Sequence, residues 1–195
     1  MISKIAESVT KRLLSKEMIV NEDRDIYEYA LFVMFSYACF FVVSLVLGLL
    51  AKIPLEAVIF FVSFCLIRNF AGGIHSDSEK KCVFFTTLSI VVSIVAIKTF
   101  IHFKFMIISI VVILLAFTII IILSPVDTEN KRLSNEERII YRKKTVVLTV
   151  LIMIAFVCTM VLHLYNISFS LSIGTMLASV LLMLGKIKQN QKTAR

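Results

Sequence analysis

Residues 145–185 read TVVLTVLIMIAFVCTMVLHLYNISFSLSIGTMLASVLLMLG and contain no Asp, Glu, Lys or Arg in 41 positions. A single α-helix of this length would extend roughly 60 Å, about twice the thickness of the hydrocarbon core of a bilayer. The run is therefore predicted to form two membrane spans, near 145–163 and 167–185. The turn between them is expected at His163-Leu-Tyr-Asn166.

Upstream of this run, four further apolar segments are expected to cross the membrane. Two of them are long, with 22 uncharged residues each, and two are short. The second span has only 11 uncharged residues and must borrow from Pro54–Glu56 or from Asn69–Ala71. Six spans result in total. The four upstream spans are predicted at 30–51, 57–67, 82–97 and 105–126.

The distribution of Lys and Arg predicts the orientation of these six spans. With six spans, both termini, the loop between spans two and three and the loop between spans four and five lie on one side. Of the 21 Lys and Arg residues, 18 fall on that side, and the exceptions are Lys52, Lys98 and Lys104. Cytoplasmic loops are enriched in Lys and Arg. Both termini of this cell-membrane protein are therefore expected in the cytoplasm.

The composition supports a membrane protein and excludes other classes. Of the 195 residues, 59% are hydrophobic and the mean hydropathy is +0.95, whereas a soluble domain is about half apolar. The net charge is +8, but neither a Gly-rich phosphate loop nor an aromatic RNA-binding signature accompanies it, so no nucleic-acid partner is expected. Cys39, Cys65, Cys82 and Cys158 lack the spacing of a disulfide framework or a zinc site, and no metal or other cofactor is expected.

The first 29 residues are polar enough to lie outside the bilayer. Apolar residues recur close to helical spacing between Ile2 and Ile19, with Lys and Arg in many of the other positions. This pattern predicts an amphipathic helix, which either lies on the membrane surface or packs on the rest of the protein. The predicted fold class is thus an all-α polytopic membrane protein with six transmembrane helices and an N-terminal amphipathic helix. Its predicted parts are an interfacial segment 1–29, a membrane domain 30–185 and a basic cytoplasmic tail 186–195.

One stretch between spans two and three has the residues best suited to chemistry. It reads Arg68-Asn-Phe-Ala-Gly-Gly-Ile-His75-Ser-Asp-Ser-Glu-Lys-Lys-Cys82. The two flanking spans are the shortest that we predict, and short apolar segments often mark backbone that lines a site. Ser76-x-x-Glu79 has the form of a capping box, so a helix that starts at Ser76 would place Cys82 in its second turn. The positive helix end and two preceding lysines would favour a thiolate at Cys82.

His75 is the natural base for a Cys82 nucleophile, but the spacing between them is an obstacle. Seven residues along one straight helix span about 10 Å, which is too far for a hydrogen bond. Gly72 and Gly73 permit unusual dihedrals that could fold His75 back, and their N–H groups are candidates for an oxyanion hole. Arg68 is a candidate for binding a substrate carboxylate. From these residues alone, catalysis competes with a simpler interpretation, an inert thiol and a solvated imidazole.

Together, Arg68, Gly72, Gly73, His75 and Cys82 resemble the hallmark of the accessory gene regulator B (AgrB) family. That hallmark is an Arg, a Gly-Gly pair, and then His and Cys seven residues apart at the cytoplasmic face of a six-span protein. The resemblance extends to the chain length, to the short amphipathic N-terminus and to a Pro-then-basic segment at 124–132. It therefore covers essentially the whole chain.

The resemblance implies a membrane-embedded cysteine endopeptidase that processes AgrD, a small peptide precursor used for quorum sensing in Gram-positive bacteria. It implies that Cys82 attacks the bond before the acidic tail of the precursor, with His75 as the base. The resulting thioester would then be attacked by a Cys or Ser of the precursor, which closes a thiolactone or lactone ring. Lys131 and Arg132 are candidates for steering the tail, although the positive-inside rule and anionic lipid explain the same residues.

A small membrane peptide transporter or channel without proteolytic activity is the main alternative, and a membrane scaffold is a second one. Transport is disfavoured because no predicted span has a charged residue near its middle. Neither alternative explains a Gly-Gly-x-His sequence followed by a Cys at a helix start. The expected partners are an AgrD-like precursor and the lipid bilayer, and a homodimer is left open.

Overall fold

The computed structural model describes residues 2–73, 79–126 and 134–193. Within these ranges the chain is helical apart from short turns and one isolated β-bridge. A short 3₁₀ helix, Asn21–Asp23, precedes the second α-helix. The α-helices are α1 (Ile2–Ser15), α2 (Arg24–Ala51), α3 (Pro54–Ala71), α4 (Glu79–Phe103), α5 (Met106–Leu123), α6 (Asn135–Val161) and α7 (Tyr165–Thr193).

Six of the described helices, α2 to α7, are long and apolar enough to cross a membrane. This finding confirms the predicted all-α polytopic architecture. The 41-residue uncharged run is divided as expected, because α6 ends at Val161 and α7 begins at Tyr165. The short second span is completed from both sides, since α3 includes Pro54–Glu56 as well as Asn69–Ala71 and reaches 18 residues.

Helix α4 is longer than the sequence suggested, so the expectation of a short third span was wrong. The predicted span ended at Ile97, whereas α4 continues to Phe103 and has 25 residues. The predicted span stops just before Lys98. The aliphatic stem of a lysine can lie along apolar surface while its ammonium group reaches the interface, so Lys98 does not end the helix.

Helices α6 and α7 also extend beyond their uncharged segments at one shared end of the pair. Helix α6 begins at Asn135, 10 residues before the uncharged run starts, and α7 continues 8 residues past Gly185 to Thr193. At 1.5 Å per residue, these extensions are about 15 Å and 12 Å long. Ser134 begins α6 with a capping box, in which its hydroxyl accepts from the Glu137 N–H and its own N–H donates to the Glu137 carboxylate.

Three turns between consecutive spans share one backbone device. Lys52, Lys104 and His163 have positive φ angles of 63°, 53° and 59°. In each turn the next residue donates its N–H to a carbonyl five residues earlier, as Leu164 does to Thr159 at 2.8 Å. This is the left-handed C-terminal cap that reverses a chain after a helix, and here residues other than glycine adopt it.

The residues Met1–Val43 form one of two compact units of the chain. Within this unit, α1 matches the predicted amphipathic helix and ends at Ser15, because Glu17 adopts a positive φ of 54°. The Glu7 carboxylate lies 2.8 Å from the Lys11 ammonium, one turn later on the same helix. That hydrogen bond and the positive charge of Lys11 hold the pKa of Glu7 below its usual value.

The second unit is Ser44–Arg195, and α7 lies at its centre. Helix α7 packs against α3, α4, α5 and α6. Its contact with α4 includes an edge-on pair of rings, Phe100 and Phe169, whose centroids are 5.9 Å apart. A core cluster of buried side chains is formed by α3, α5, α6, α7 and one residue after α5. It contains Phe64, Ile67, Ala71, Ile113, Ile120, Val126, Ile152, Phe156, Leu171, Ala178 and Leu182.

Small residues allow α7 to occupy this central position. Gly174 lies so close to α3 that an added Cβ would collide with the Ser63 hydroxyl and lie 2.7 Å from the Phe60 carbonyl oxygen. Five hydroxyl residues of α7 are buried, and each of them donates to a carbonyl of α7 itself or of the turn before it. Small residues let the backbones of membrane helices approach closely. The five are Ser168, Ser170, Ser172, Thr175 and Ser179.

Candidate functional site

The Gly-Gly pair of the predicted site forms the turn at the end of α3. Gly72 and Gly73 have φ angles of +78° and +136°, a region of backbone conformation that favours glycine. The Gly72 N–H donates to the Arg68 carbonyl at 3.3 Å, which closes the last helical turn. The unusual dihedrals expected from the sequence are therefore present. They end α3 at Ala71, four residues before His75.

Arg68, in the last turn of α3, contacts the Gly72–Gly73 turn that follows the helix. Its Nη1 donates to the Gly72 carbonyl at 2.9 Å. A Cβ at Gly73 would collide with this same Nη1 and would lie 3.0 Å from the Leu181 carbonyl oxygen of α7. Glycine at position 73 thus leaves room for the half-buried Arg68 guanidinium, and the turn lies directly on the backbone of α7.

Val126 holds the same turn from another part of the chain. Its N–H donates to the Ala71 carbonyl at 2.9 Å, and it forms the isolated β-bridge with Gly72. A Cβ at Gly72 would collide with the Val126 carbonyl oxygen, so the first glycine is needed for close approach as well as for its φ angle. This contact was not predicted from the sequence. Its one local signal is Pro125, which disfavours a helical conformation at Ser124, the residue before it.

Aromatic and cationic side chains surround the end of α3. The rings of Phe70 and Tyr141 have centroids 5.9 Å apart, and the Lys144 ammonium lies 5.3 Å from the centre of the Phe70 ring. This distance is within the range of a cation–π interaction. The first turns of α6, which also include the exposed Arg142 and Lys143, therefore lie beside the predicted site.

Cys82, the predicted nucleophile, is a free and half-buried thiol near the start of α4. Helix α4 is described from Glu79, and Cys82 is the fourth residue of that range. The exposed Lys81 precedes Cys82, and the thiolate expected at Cys82 from the sequence stays a prediction.

Other predicted site residues lie outside the described parts of the chain. These include His75, the predicted base, and the two basic residues Lys131 and Arg132. The capping role expected for Ser76 falls in the same gap. The pairing of His75 with Cys82 and the steering of a substrate tail therefore stay predictions. In residues 2–73, 79–126 and 134–193, no three His, Cys, Asp or Glu residues group as metal ligands would.

Comparison with known proteins gives one consistent result. The family model described as accessory gene regulator B matches residues 2–183. A Clostridium perfringens (strain 13) protein whose name describes it as AgrB-like protein 2 is 30% identical over 190 residues, which cover 92% of this chain and 86% of that protein. An AgrB-like protein by name from strain SM101 is 28% identical over 191 residues, covering 93% and 87% of the two chains. No solved structure matches this chain.

Proposed function

Because this chain belongs to the accessory gene regulator B family, we propose that it is a membrane-embedded cysteine endopeptidase that cleaves an AgrD-like precursor. The family takes part in the processing of quorum-sensing peptides, and the six apolar helices make the chain a multi-pass membrane protein. The finer proposal assigns Cys82 as the nucleophile and His75 as the base. Its product is a cyclic peptide released from the C-terminal tail of the precursor.

The proposed reaction is two successive acyl transfers. The Cys82 sulfur attacks the carbonyl carbon before the tail, a C–S bond forms and the C–N bond breaks. His75 takes the thiol proton and gives it to the departing amine of the tail. A Cys or Ser of the precursor then attacks the thioester, which closes the thiolactone or lactone ring and returns the proton and the free thiol to Cys82.

One observation supports this proposal above the others: the positive-φ turn at Gly72 and Gly73 lies between the helices that hold Arg68 and Cys82. His75 follows Gly73 by two residues in the sequence. We propose that the turn directs His75 toward Cys82. Since the Gly72 N–H already donates to Arg68, the proposed oxyanion role falls to the N–H of Gly73.

The polar end of the molecule suits a precursor with an acidic tail. Arg142, Lys143 and Lys144 precede the apolar part of α6 beside the site, and Lys131 and Arg132 belong to the connection before it. We assign these cations to attraction of the tail. The same distribution of charge supports cytoplasmic termini, an interfacial segment 1–29 and a basic tail 186–195 around the membrane domain 30–185.

A cleavage assay in reconstituted vesicles tests the proposal. Wild type should release the tail of an AgrD-like precursor, whereas Cys82→Ala and His75→Ala should not. Cys158→Ala is a matched control, because it removes an exposed thiol in the apolar part of α6. An acyl-enzyme on Cys82 should be released by hydroxylamine. Cleavage by Cys82→Ala at the wild-type rate would refute the mechanism with Cys82 as the nucleophile. Transport of the intact peptide would then be favoured.

A further inference from the structure

One strand-like contact joins two distant parts of the chain at the candidate site. Val126 forms the β-bridge with Gly72, although 54 positions separate them in the sequence. The bridge includes a hydrogen bond of good length, 2.9 Å, from the Val126 N–H to the Ala71 carbonyl. Val126 is only 2% exposed and belongs to the core cluster described above. The contact is therefore a packed part of the protein.

Three residues contact the Gly72–Gly73 turn, and they differ in how far each sets the position of the turn. Arg68 donates to the Gly72 carbonyl from four residues away on the same helix, so this bond moves with the turn. Leu181 of α7 limits the space beneath Gly73 by contact alone. Val126 follows α5 and supplies a directed hydrogen bond. This bond sets the position and the direction of the turn relative to another helix.

We propose that Val126 is a positioning residue for the reaction, because its backbone N–H fixes the turn that leads into His75. This inference rests on the proposed function. Val126 has no side-chain donor or acceptor, so it acts through the backbone of Ala71 and Gly72. The turn includes Gly73, whose N–H has the proposed oxyanion role, so an error in the turn displaces that N–H directly. A misplacement of about 1 Å can lower an enzymatic rate roughly a hundredfold.

Three variants separate the hydrogen bond from the packing. Val126→Pro keeps a similar volume but removes the N–H. Val126→Ala keeps the N–H and loses two methyl groups from the core. Ile113→Ala is the control for lost packing, since Ile113 is buried in the same cluster on α5 but lies more than ten residues before Val126. Two quantities are measured for each variant in vesicles. The first is the single-turnover rate of tail release. The second is the affinity for the precursor, which is measured in proteins that also have the Cys82→Ala change.

The expected result is a selective loss of rate. Val126→Pro should release the tail at least about tenfold more slowly than wild type, with unchanged precursor affinity. Val126→Ala should keep most of the wild-type rate of tail release. Ile113→Ala should lower the melting temperature but leave that rate unchanged. The inference is overturned if folded Val126→Pro cleaves as fast as Ile113→Ala, or if its loss is entirely in affinity.

Amide hydrogen exchange keeps the inference testable if Val126→Pro does not fold. In the wild-type protein, the Val126 amide should exchange as slowly as the amides of buried helical residues. Exchange at the rate of an exposed loop would refute the pairing and the inference with it. Failure of the proposed function gives a different result. In that case Cys82→Ala would still cleave the precursor, or the wild-type protein would not cleave it, and neither result depends on the variants at Val126.

Discussion

Replacing Gly174 with Ala tests the close approach of α3 and α7 on which the position of the candidate site depends. A Cβ at this position would collide with the Ser63 hydroxyl oxygen. It would also lie 2.7 Å from the Phe60 carbonyl oxygen and 3.4 Å from the Phe64 nitrogen. Two of these three atoms belong to the backbone of α3. They cannot give way unless the helix itself shifts.

Two effects of opposite sign set the magnitude. Ala is favoured over Gly within a helix by about 0.5–1 kcal/mol, whereas overpacking a core costs roughly 1–3 kcal/mol. The steric cost should win because the neighbours are backbone atoms, which leaves a net loss of about 1–2 kcal/mol in the free energy of unfolding. At roughly 2–4 °C per kcal/mol, Gly174→Ala should melt about 2–8 °C below wild type. Far-ultraviolet circular dichroism in detergent micelles measures this shift.

A double-mutant cycle with Ser63→Ala provides the control. Ser63→Ala removes the side-chain oxygen that the new Cβ would meet first, but leaves the Phe60 carbonyl in place. The double variant should therefore recover part of the loss, with a coupling energy of about 0.5–1 kcal/mol. A melting temperature for Gly174→Ala at or above that of wild type would refute the close approach. Strict additivity of the two changes would refute the role of Ser63.

Four further changes test separate features. Ser124 is 4% exposed and its hydroxyl has no hydrogen-bond partner among the described residues, so Ser124→Ala should leave stability unchanged or raise it by about 1 kcal/mol. A lower melting temperature would contradict this. Lys104→Gly should add about 1 kcal/mol to the free energy of unfolding in a denaturant titration, because Lys104 has a left-handed φ of 53°; an unchanged midpoint would argue against that backbone. Ser134→Ala should cost about 1 kcal/mol and speed amide exchange at the start of α6, and unaltered exchange would show that the cap is not needed. Lys11→Gln should raise the pKa of Glu7 in an NMR titration, since Lys11 now lowers it. Because that pKa is lowered in the fold, the contribution of the pair to α1 is present above the usual Glu pKa and is lost as pH falls through the lowered value; an unmoved titration would contradict the pairing.

The spans could be predicted because long uncharged runs have one stable environment. The division of residues 145–185 followed from helix length and membrane thickness alone. The end of α4 was missed because Lys98 was treated as a boundary, although a long cationic side chain can lie within a span. Both outcomes depended on local properties of the chain, the length of an uncharged run and the length of a lysine side chain.

At the candidate site, the backbone angles of the Gly-Gly pair were predictable from the sequence, but the contacts of that turn were not. A Gly-Gly pair predicts unusual backbone angles, and Gly72 and Gly73 both have positive φ angles. The role of Val126 could not be derived, because its partner is 54 positions away and a single β-bridge has no periodic pattern. Gly174 was missed for a related reason, since its closeness to Ser63 depends on how two distant helices cross. Pairwise contacts of this kind need coordinates.

The extended ends of α6 and α7 have a practical consequence for imaging. Particles in single-particle cryo-electron microscopy are aligned by rigid density outside the detergent micelle, and a small bundle of membrane helices offers little of it. The helix of α7 continues to Thr193, so a fiducial domain that begins with a helix can be joined to it without a flexible linker. Each residue added at the junction rotates that domain by about 100° and moves it about 1.5 Å, so a short series of junctions samples its orientations.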